Sequence, residues 1–228
     1  MGPMIELQQE RKRVPAVPRR LGPGIALGAA AGPVVFSLAW LVLGFISRGY
    51  TAWGVYVPYS PIHQTVSGLG LGATAPFMNG AFIANGILTV AGIIAIFNGI
   101  PALGHRARWT CIALLSMPAL GSAIDGIFTL ESFLPHTAGF ALVLTTIPGF
   151  AVTGFVLRRL PEWKRFGTWL IAASPLTLVL AVLFFATFNP TIAGTQSGIA
   201  GITERLLIFE IQAWYVALAW TFTRRANR

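Results

Sequence analysis

The chain has 228 residues, 55% of them hydrophobic and only 10% charged, and its mean hydropathy is +0.71. Water-facing domains carry roughly 25% charged residues, so an ordinary soluble surface is excluded and lipid must solvate most of the chain. The net charge of +9 does not point to nucleic acid, because no aromatic-basic platform accompanies it and the basic residues stand in short groups between long apolar runs.

Residues 1–23 are polar and basic, with Arg11, Lys12, Arg13, Arg19 and Arg20 among Pro15, Pro18 and Pro23. They bury too little apolar surface to order themselves and read as a mobile cytosolic tail whose arginines can rest on anionic headgroups. The leader is too polar, and the following run too long, for a cleavable signal peptide. A helix needs roughly 20 apolar residues to cross the hydrocarbon core. Six segments satisfy this: 24–46, 76–100, 109–131, 136–158, 167–188 and 201–222. A barrel would instead give short alternating segments. The expected fold is therefore all-α, a polytopic bundle of six transmembrane helices occupying 24–222, with a second basic tail at 223–228.

Orientation follows from the loops. With both termini in the cytosol, 101–108, 159–166 and 223–228 also lie inside, and fourteen of the sixteen basic residues fall on that side, counting Arg158 at the inner end of span four. Arg48 and Arg205 are the exceptions. This is the asymmetry that cytoplasmic loops create. It places the protein in a membrane, the cell membrane if the source is prokaryotic. Pro33, Pro118, Pro148 and Pro175 fall inside spans and should bend them. The glycines around 28–32 and 86–92 should let helices approach closely.

The outer connection 47–75 is not a plain loop. Tyr50, Trp53, Tyr56 and Tyr59 suit the headgroup boundary. The mixed run from Ile62 to Gly70 suits a short interfacial or partly re-entrant helix. The other outer connections are 132–135 and 189–200.

Ionisable groups within spans are costly and mark candidate sites. Asp125 is expected ~9 Å inside the outer end of span three, on one stripe with Ser122, Thr129 and Ser132. Glu131 and His136 are drawn together by a short connection. In span six, Glu204 and Arg205 lie near the outer boundary and Glu210 near the midplane. Arg205 either snorkels to headgroups or pairs with Asp125 or Glu131. The outer half thus collects His63, Gln64, Ser67, Asp125, Glu131, His136, Glu204 and Arg205. Three chemistries fit these types: a structural hydrogen-bonded network; a histidine-activated Ser67; and a metal held by His63, His136 and Glu131 or Asp125, for which no paired histidine spacing exists. A phosphate-binding glycine loop, an intramembrane lysine and an arginine-rich voltage-sensing span are all lacking in the sequence.

Several short motifs occur in order: Tyr59-Ser60-Pro61, then Gln64-Thr65-Val66-Ser67-Gly68-Leu69-Gly70, Met78-Asn79-Gly80, Gly126-Ile127-Phe128 with Glu131 and His136, and Glu204-Arg205-Leu206. On these the chain resembles the DUF998 family of six-span membrane proteins, over nearly all of its length after the tail. The resemblance implies a fold and a topology and supplies no reaction. It adds Asn79 to the candidate ligand-binding residues. Gly68 stands where relatives often carry an acid, and Thr129 and Glu131 replace a more usual Phe-Pro and Asp pattern.

The expected function is an outward-facing polar cavity binding a lipid or small amphipathic molecule. The alternatives are a hydrolase or transferase using His136 with Glu131 or Asp125, and a non-enzymatic subunit or assembly factor. Whether the protein is an enzyme, and with what cofactor or oligomeric state, is left open by the sequence. Membrane lipids are the expected partners.

Overall fold

Lipid offers no hydrogen bonds, so a spanning chain must satisfy its backbone internally. The computed structural model, which describes residues 23–188 and 197–226, meets that demand with helices. The N-terminal tail, most of the 189–200 connection and the last two residues lie outside the described residues. Six helical segments of 23 to 27 residues are long and apolar enough to cross a bilayer: Gly24–Ile46, Gly72–Asn98, His105–Ile127, Phe133–Arg158, Pro161–Thr187 and Ala200–Ala226. The protein is a multi-pass membrane protein. Its outward surface is correspondingly greasy, with Phe45 80%, Leu134 77% and Phe77 70% exposed.

The first span is a short helix α1 (Pro23–Ala26) running into α2 (Gly28–Ile46). A two-stranded antiparallel hairpin follows, β1 (Gly49–Ala52) with β2 (Val55–Pro58), and Ala52 pairs with Val55. The two residues between them, Trp53 and Gly54, have φ of 47° and 79°. Positive φ at both central positions is the geometry that matches the twist of a tight hairpin. The sequence expectation had no strand here. Two 3₁₀ turns, Val66–Gly70 and Gly72–Thr74, then lead into α3 (Ala75–Asn98). These turns occupy the place of the expected short helix. Val66, Gly68 and Leu69 are buried rather than interfacial.

Next come α4 (His105–Ile127), α5 (Phe133–Leu144), α6 (Thr146–Arg158), a 3₁₀ turn Pro161–Trp163, α7 (Lys164–Thr187) and α8 (Ala200–Ala226). Span four is broken at Thr145 because Pro148 cannot donate to the Leu144 carbonyl and its ring crowds that oxygen. The other three prolines sit inside continuous helices.

The helices pack in sequence order, α2 on α3, α3 on α4, α4 on α5 and α6, α6 on α7 and α7 on α8, and α8 returns to α2. The bundle is thus closed. Missing side chains permit the close crossings. A Cβ on Gly92 would overlap the Ala29 backbone, and one on Gly28 would overlap the Leu88 carbonyl. Gly154 and Gly167 meet in the same way between α6 and α7.

The two ends of the bundle differ. At one end lie the hairpin, the 3₁₀ turns and residues 128–132, with Arg48 and Arg205. At the other lie Arg106, Arg108, Arg158, Arg159, Lys164, Arg165, Arg224 and Arg225. Several of these arginines hold the structure as well as carry charge. Arg108 closes the end of α3 by donating to the carbonyls of Phe97 (3.1 Å), Ile100 (3.2 Å) and Leu103 (3.1 Å). Arg225 lies 4.3 Å above the Trp163 ring and Arg224 4.4 Å above Trp220. Arg108→Ala is expected to cost about 1–3 kcal/mol, the scale of charged hydrogen bonds left unmade, read as a lowered thermal midpoint in detergent.

Candidate functional site

Arg205 organises the hairpin end. It is 9% exposed, one turn into α8, where an isolated charge would be costly. Its Nη1 donates to the carbonyls of Gly201 (2.7 Å), Pro61 (2.8 Å) and Gln64 (3.0 Å), and its Nη2 donates to the Tyr59 hydroxyl. The guanidinium also lies 5.6 Å from the Trp40 ring centre. Neither sequence expectation for it holds: it does not snorkel, and among the described residues it makes no ion pair with Asp125 or Glu131. The five donors of a guanidinium are satisfied by several clustered acceptors, as these backbone carbonyls are, more fully than by a single carboxylate.

The loop 59–67 is thereby wrapped over the start of α8. Gly201 makes room for it, since a Cβ there would strike the carbonyls of Pro61, Ile62 and Gln64. The Ile202 amide donates to the Ile62 carbonyl (3.3 Å), and the buried Gln64 side chain accepts from the Ser60 amide (3.0 Å). Burial pushes the Tyr59 phenol up from its ordinary range, so it remains neutral and can donate to the Thr65 carbonyl (3.3 Å). Tyr59 is the latch residue that the sequence reading missed. In the sequence it looks like one more interfacial aromatic, and only its place in a motif with Pro61 hints otherwise. Trp53 and Tyr56 are exposed, whereas Tyr50 is buried.

Glu204, 3% exposed, accepts from the Val66 amide. Adjacent helix positions point about 100° apart, so Arg205 secures the loop while Glu204 faces the bundle interior. On the opposite wall, α4 ends at Ile127, four residues earlier than the expected span. Asp125 therefore sits in its last turn, and Thr129 and Ser132 fall beyond the helix, off the stripe that Ser122 continues. Asp125 is 5% exposed. Its Oδ1 lies 3.4 Å from His136 Nδ1, in space that Gly139 leaves open, since a Cβ there would collide with the carboxylate. His136 Nδ1 donates to the Phe128 carbonyl (3.0 Å). A carbonyl can only accept, so in the neutral ring the proton is on Nδ1 and Nε2 is the free base.

Glu131 does not join this group. It accepts from the Trp53 amide (3.1 Å) and ties the hairpin tip to the α4–α5 connection. His63 Nδ1 contacts the Gly198 carbonyl at 2.6 Å. Asn79 donates to the Gly70 carbonyl (3.1 Å). Glu210, deeper in α8, accepts from Thr177 (2.9 Å) and Trp214 (2.8 Å).

Two cavities meet at Glu204. The larger, about 610 Å³, lies under the hairpin among β1, β2, α5, α7 and the start of α8. Its walls are chiefly apolar, with Tyr50, Phe133, Phe140, Phe184, Phe185 and Phe188 prominent among them. Its polar residues include His63, Gln64, Ser67, His136, Thr137 and Glu204. Ser67 Oγ has no hydrogen-bond partner among the described residues. The phenylalanines were not singled out from sequence, because an aromatic residue in an apolar span looks the same facing lipid or cavity. The smaller cavity, about 40 Å³, lies inside the ring of helices and shares Ser67, Phe140 and Glu204 with the larger one. Asn79, Glu131 and Arg205 line neither. Among the described residues no three His, Cys, Asp or Glu side chains come together as a metal site would need.

A family model described as a protein of unknown function, DUF998, matches residues 50–221. Neither a curated protein nor a solved structure matches the chain. The matched range holds the hairpin apart from Gly49, the Arg205-bound loop and the lining of both cavities apart from Phe36.

Proposed function

The chain belongs to the DUF998 family of proteins of unknown function, and from that footing we propose that it binds a lipid or small amphipathic molecule in the cavity beneath the hairpin. The supporting observation is the cavity's mixed lining. Ligand sites are typically about 300–1,000 Å³, apolar in most of their wall, with a few converging polar groups. A volume of about 610 Å³ with largely apolar walls, and with Ser67, His136 and Glu204 among its polar groups, suits a molecule with a greasy body and a polar head. The clustering of basic residues at the opposite end supports placing that end in the cytosol and the hairpin outside.

The test is native mass spectrometry of the full-length protein released from membranes in mild detergent. Wild type is expected to carry an amphiphile adduct. Thr137→Trp, which places an indole in the cavity from a position on its wall, should lose the adduct while keeping its thermal midpoint. Equal adducts on both proteins, or none on wild type, would sink the proposal.

A second reading rests on the Asp125–His136 contact. Nδ1 is held by protein acceptors, so Nε2 is left as a base beside a cavity that also contains the unpartnered Ser67 hydroxyl, which is the role order of a nucleophile, a base and an orienting acid. An ester-bearing amphiphile would then be cleaved. A fluorophosphonate probe should label wild type, and labelling should vanish in both Ser67→Ala and His136→Ala. Labelling that survives in Ser67→Ala would rule this reading out.

A further inference from the structure

The open side of the larger cavity and the charge on its wall narrow the class of molecule it can hold. α5 rests on α4. Its residues Phe133, His136, Thr137 and Phe140, spaced as one stripe of a helix, line the cavity. Phe184, Phe185, Thr187 and Phe188 line it from the end of α7. The two helices meet through rings, with the Phe140 ring centre 5.6 Å from Phe184 and 5.9 Å from Phe185. Nearer the hairpin, Phe133 and Thr137 on α5 are exposed although they line the cavity, and so is Phe185 on α7. The cavity is therefore open between these helices. Both belong to spans, so the medium at that opening is lipid.

Among the described residues that line the cavity, none is Lys or Arg. The segments 47–75, 128–135 and 189–200 contain a single such residue, Arg48, which is exposed and off the wall. Arg205 follows Glu204 in sequence, but its donors go to the Pro61, Gln64 and Gly201 carbonyls and to Tyr59. Glu204 makes the wall negative when ionised and neutral when protonated. A proton on His136 would be balanced by the Asp125 carboxylate 3.4 Å away, and one on His63 by Glu204 on the same wall. A buried phosphate or carboxylate needs cations or charge-assisted donors, which this wall does not provide. A hydroxyl needs neither, because it both donates and accepts. The Ser67 hydroxyl can answer it in either sense, and the free Nε2 of His136 can accept from it.

We propose that the occupant is a lipid of the surrounding leaflet with an uncharged, hydroxyl-bearing head, of the diacylglycerol class, whose chains lie in the opening between α5 and α7. This rests on the amphiphile reading above and specifies the head that the cavity accepts. Lipids headed by phosphate or carboxylate are excluded by the same wall.

The test adds dioleoylglycerol or dioleoylphosphatidic acid, which share their chains and differ in the head, to full-length protein in mild detergent. Native mass spectrometry reads retention. Anionic lipid also adheres to a basic protein end, so only adducts lost in Thr137→Trp count as cavity-bound. In that fraction wild type is expected to hold dioleoylglycerol at least about tenfold more tightly, the scale of a charged group left without its hydrogen bonds. Equal retention, or a preference for the phosphatidic acid, would overturn the proposed head while leaving an amphiphile in the cavity. Failure to retain dioleoylglycerol there would overturn it too, and if wild type then carries no other amphiphile the broader reading falls with it. Should Thr137→Trp not fold, a diazirine-bearing diacylglycerol takes its place. Its label is expected on α5 or α7 peptides, competed by dioleoylglycerol and not by dioleoylphosphatidic acid. Label elsewhere, or equal competition by both, would contradict the proposal.

Discussion

Arg205→Ala is expected to release the 59–67 loop and to destabilise the protein by about 3–5 kcal/mol, the range for removing one member of a buried charged set. Three main-chain carbonyls, of Pro61, Gln64 and Gly201, lose their donor together, and the Tyr59 hydroxyl loses its own. Glu204 would remain buried beside them with no guanidinium nearby. Thermal unfolding in detergent measures the loss, and limited proteolysis between residues 47 and 74 should accelerate before global unfolding. Arg205→Lys should recover only part of it, since an ammonium cannot spread a planar fork across carbonyls and a phenol at once. A midpoint within error of wild type for Arg205→Ala would show that the loop is held by other contacts.

Gly92→Val is expected to be as damaging for a different reason. Here nothing polar is lost. The helices α1–α2 and α3 touch backbone to backbone at Ala29 and Gly92, and a side chain on residue 92 would occupy the place of the Ala29 amide. Overpacking typically costs about 1–3 kcal/mol and more where backbone rather than a flexible side chain must yield. Misfolded or aggregated material on size-exclusion chromatography is the expected readout. Gly24→Ala, where a Cβ meets open space, should behave as wild type and serves as the control.

The six spans were legible because hydrophobic length is a property of contiguous sequence. Boundaries were less so. The charged and aromatic residues His105 to Trp109 are compatible with either loop or helix, and α4 begins there rather than at 109, which carries its other end back to Ile127. That shift changes the chemistry of the site. The chain turns at Phe128 into extended backbone, so Glu131 is carried up to the hairpin and Asp125, not Glu131, meets His136. The hairpin itself was hidden because Trp53-Gly54 lacks the Asn-Gly signature of a two-residue turn. An amide accepted by Glu131, 78 residues away, supports that turn, and no local pattern announces such a contact. Of the candidate residues, His63, Gln64, Ser67, His136 and Glu204 line the larger cavity and Asp125 the smaller, whereas Asn79, Glu131 and Arg205 hold the frame around them. Polar residues in a membrane protein are scarce enough to be listed from sequence. Which of them converge depends on helix rotation, and weakly amphipathic spans leave that undetermined until the helices are packed.

What fills the space under the hairpin decides the proposed function. An electron-cryomicroscopy map of the full-length protein, reconstituted in nanodiscs made from its own membrane lipids, measures this directly. The expected result is elongated density lying along Phe133, Phe140, Phe184 and Phe185, with its head against Ser67, His136 and Glu204. A cavity that is collapsed, or that holds only separate water-sized peaks, would contradict the proposed function.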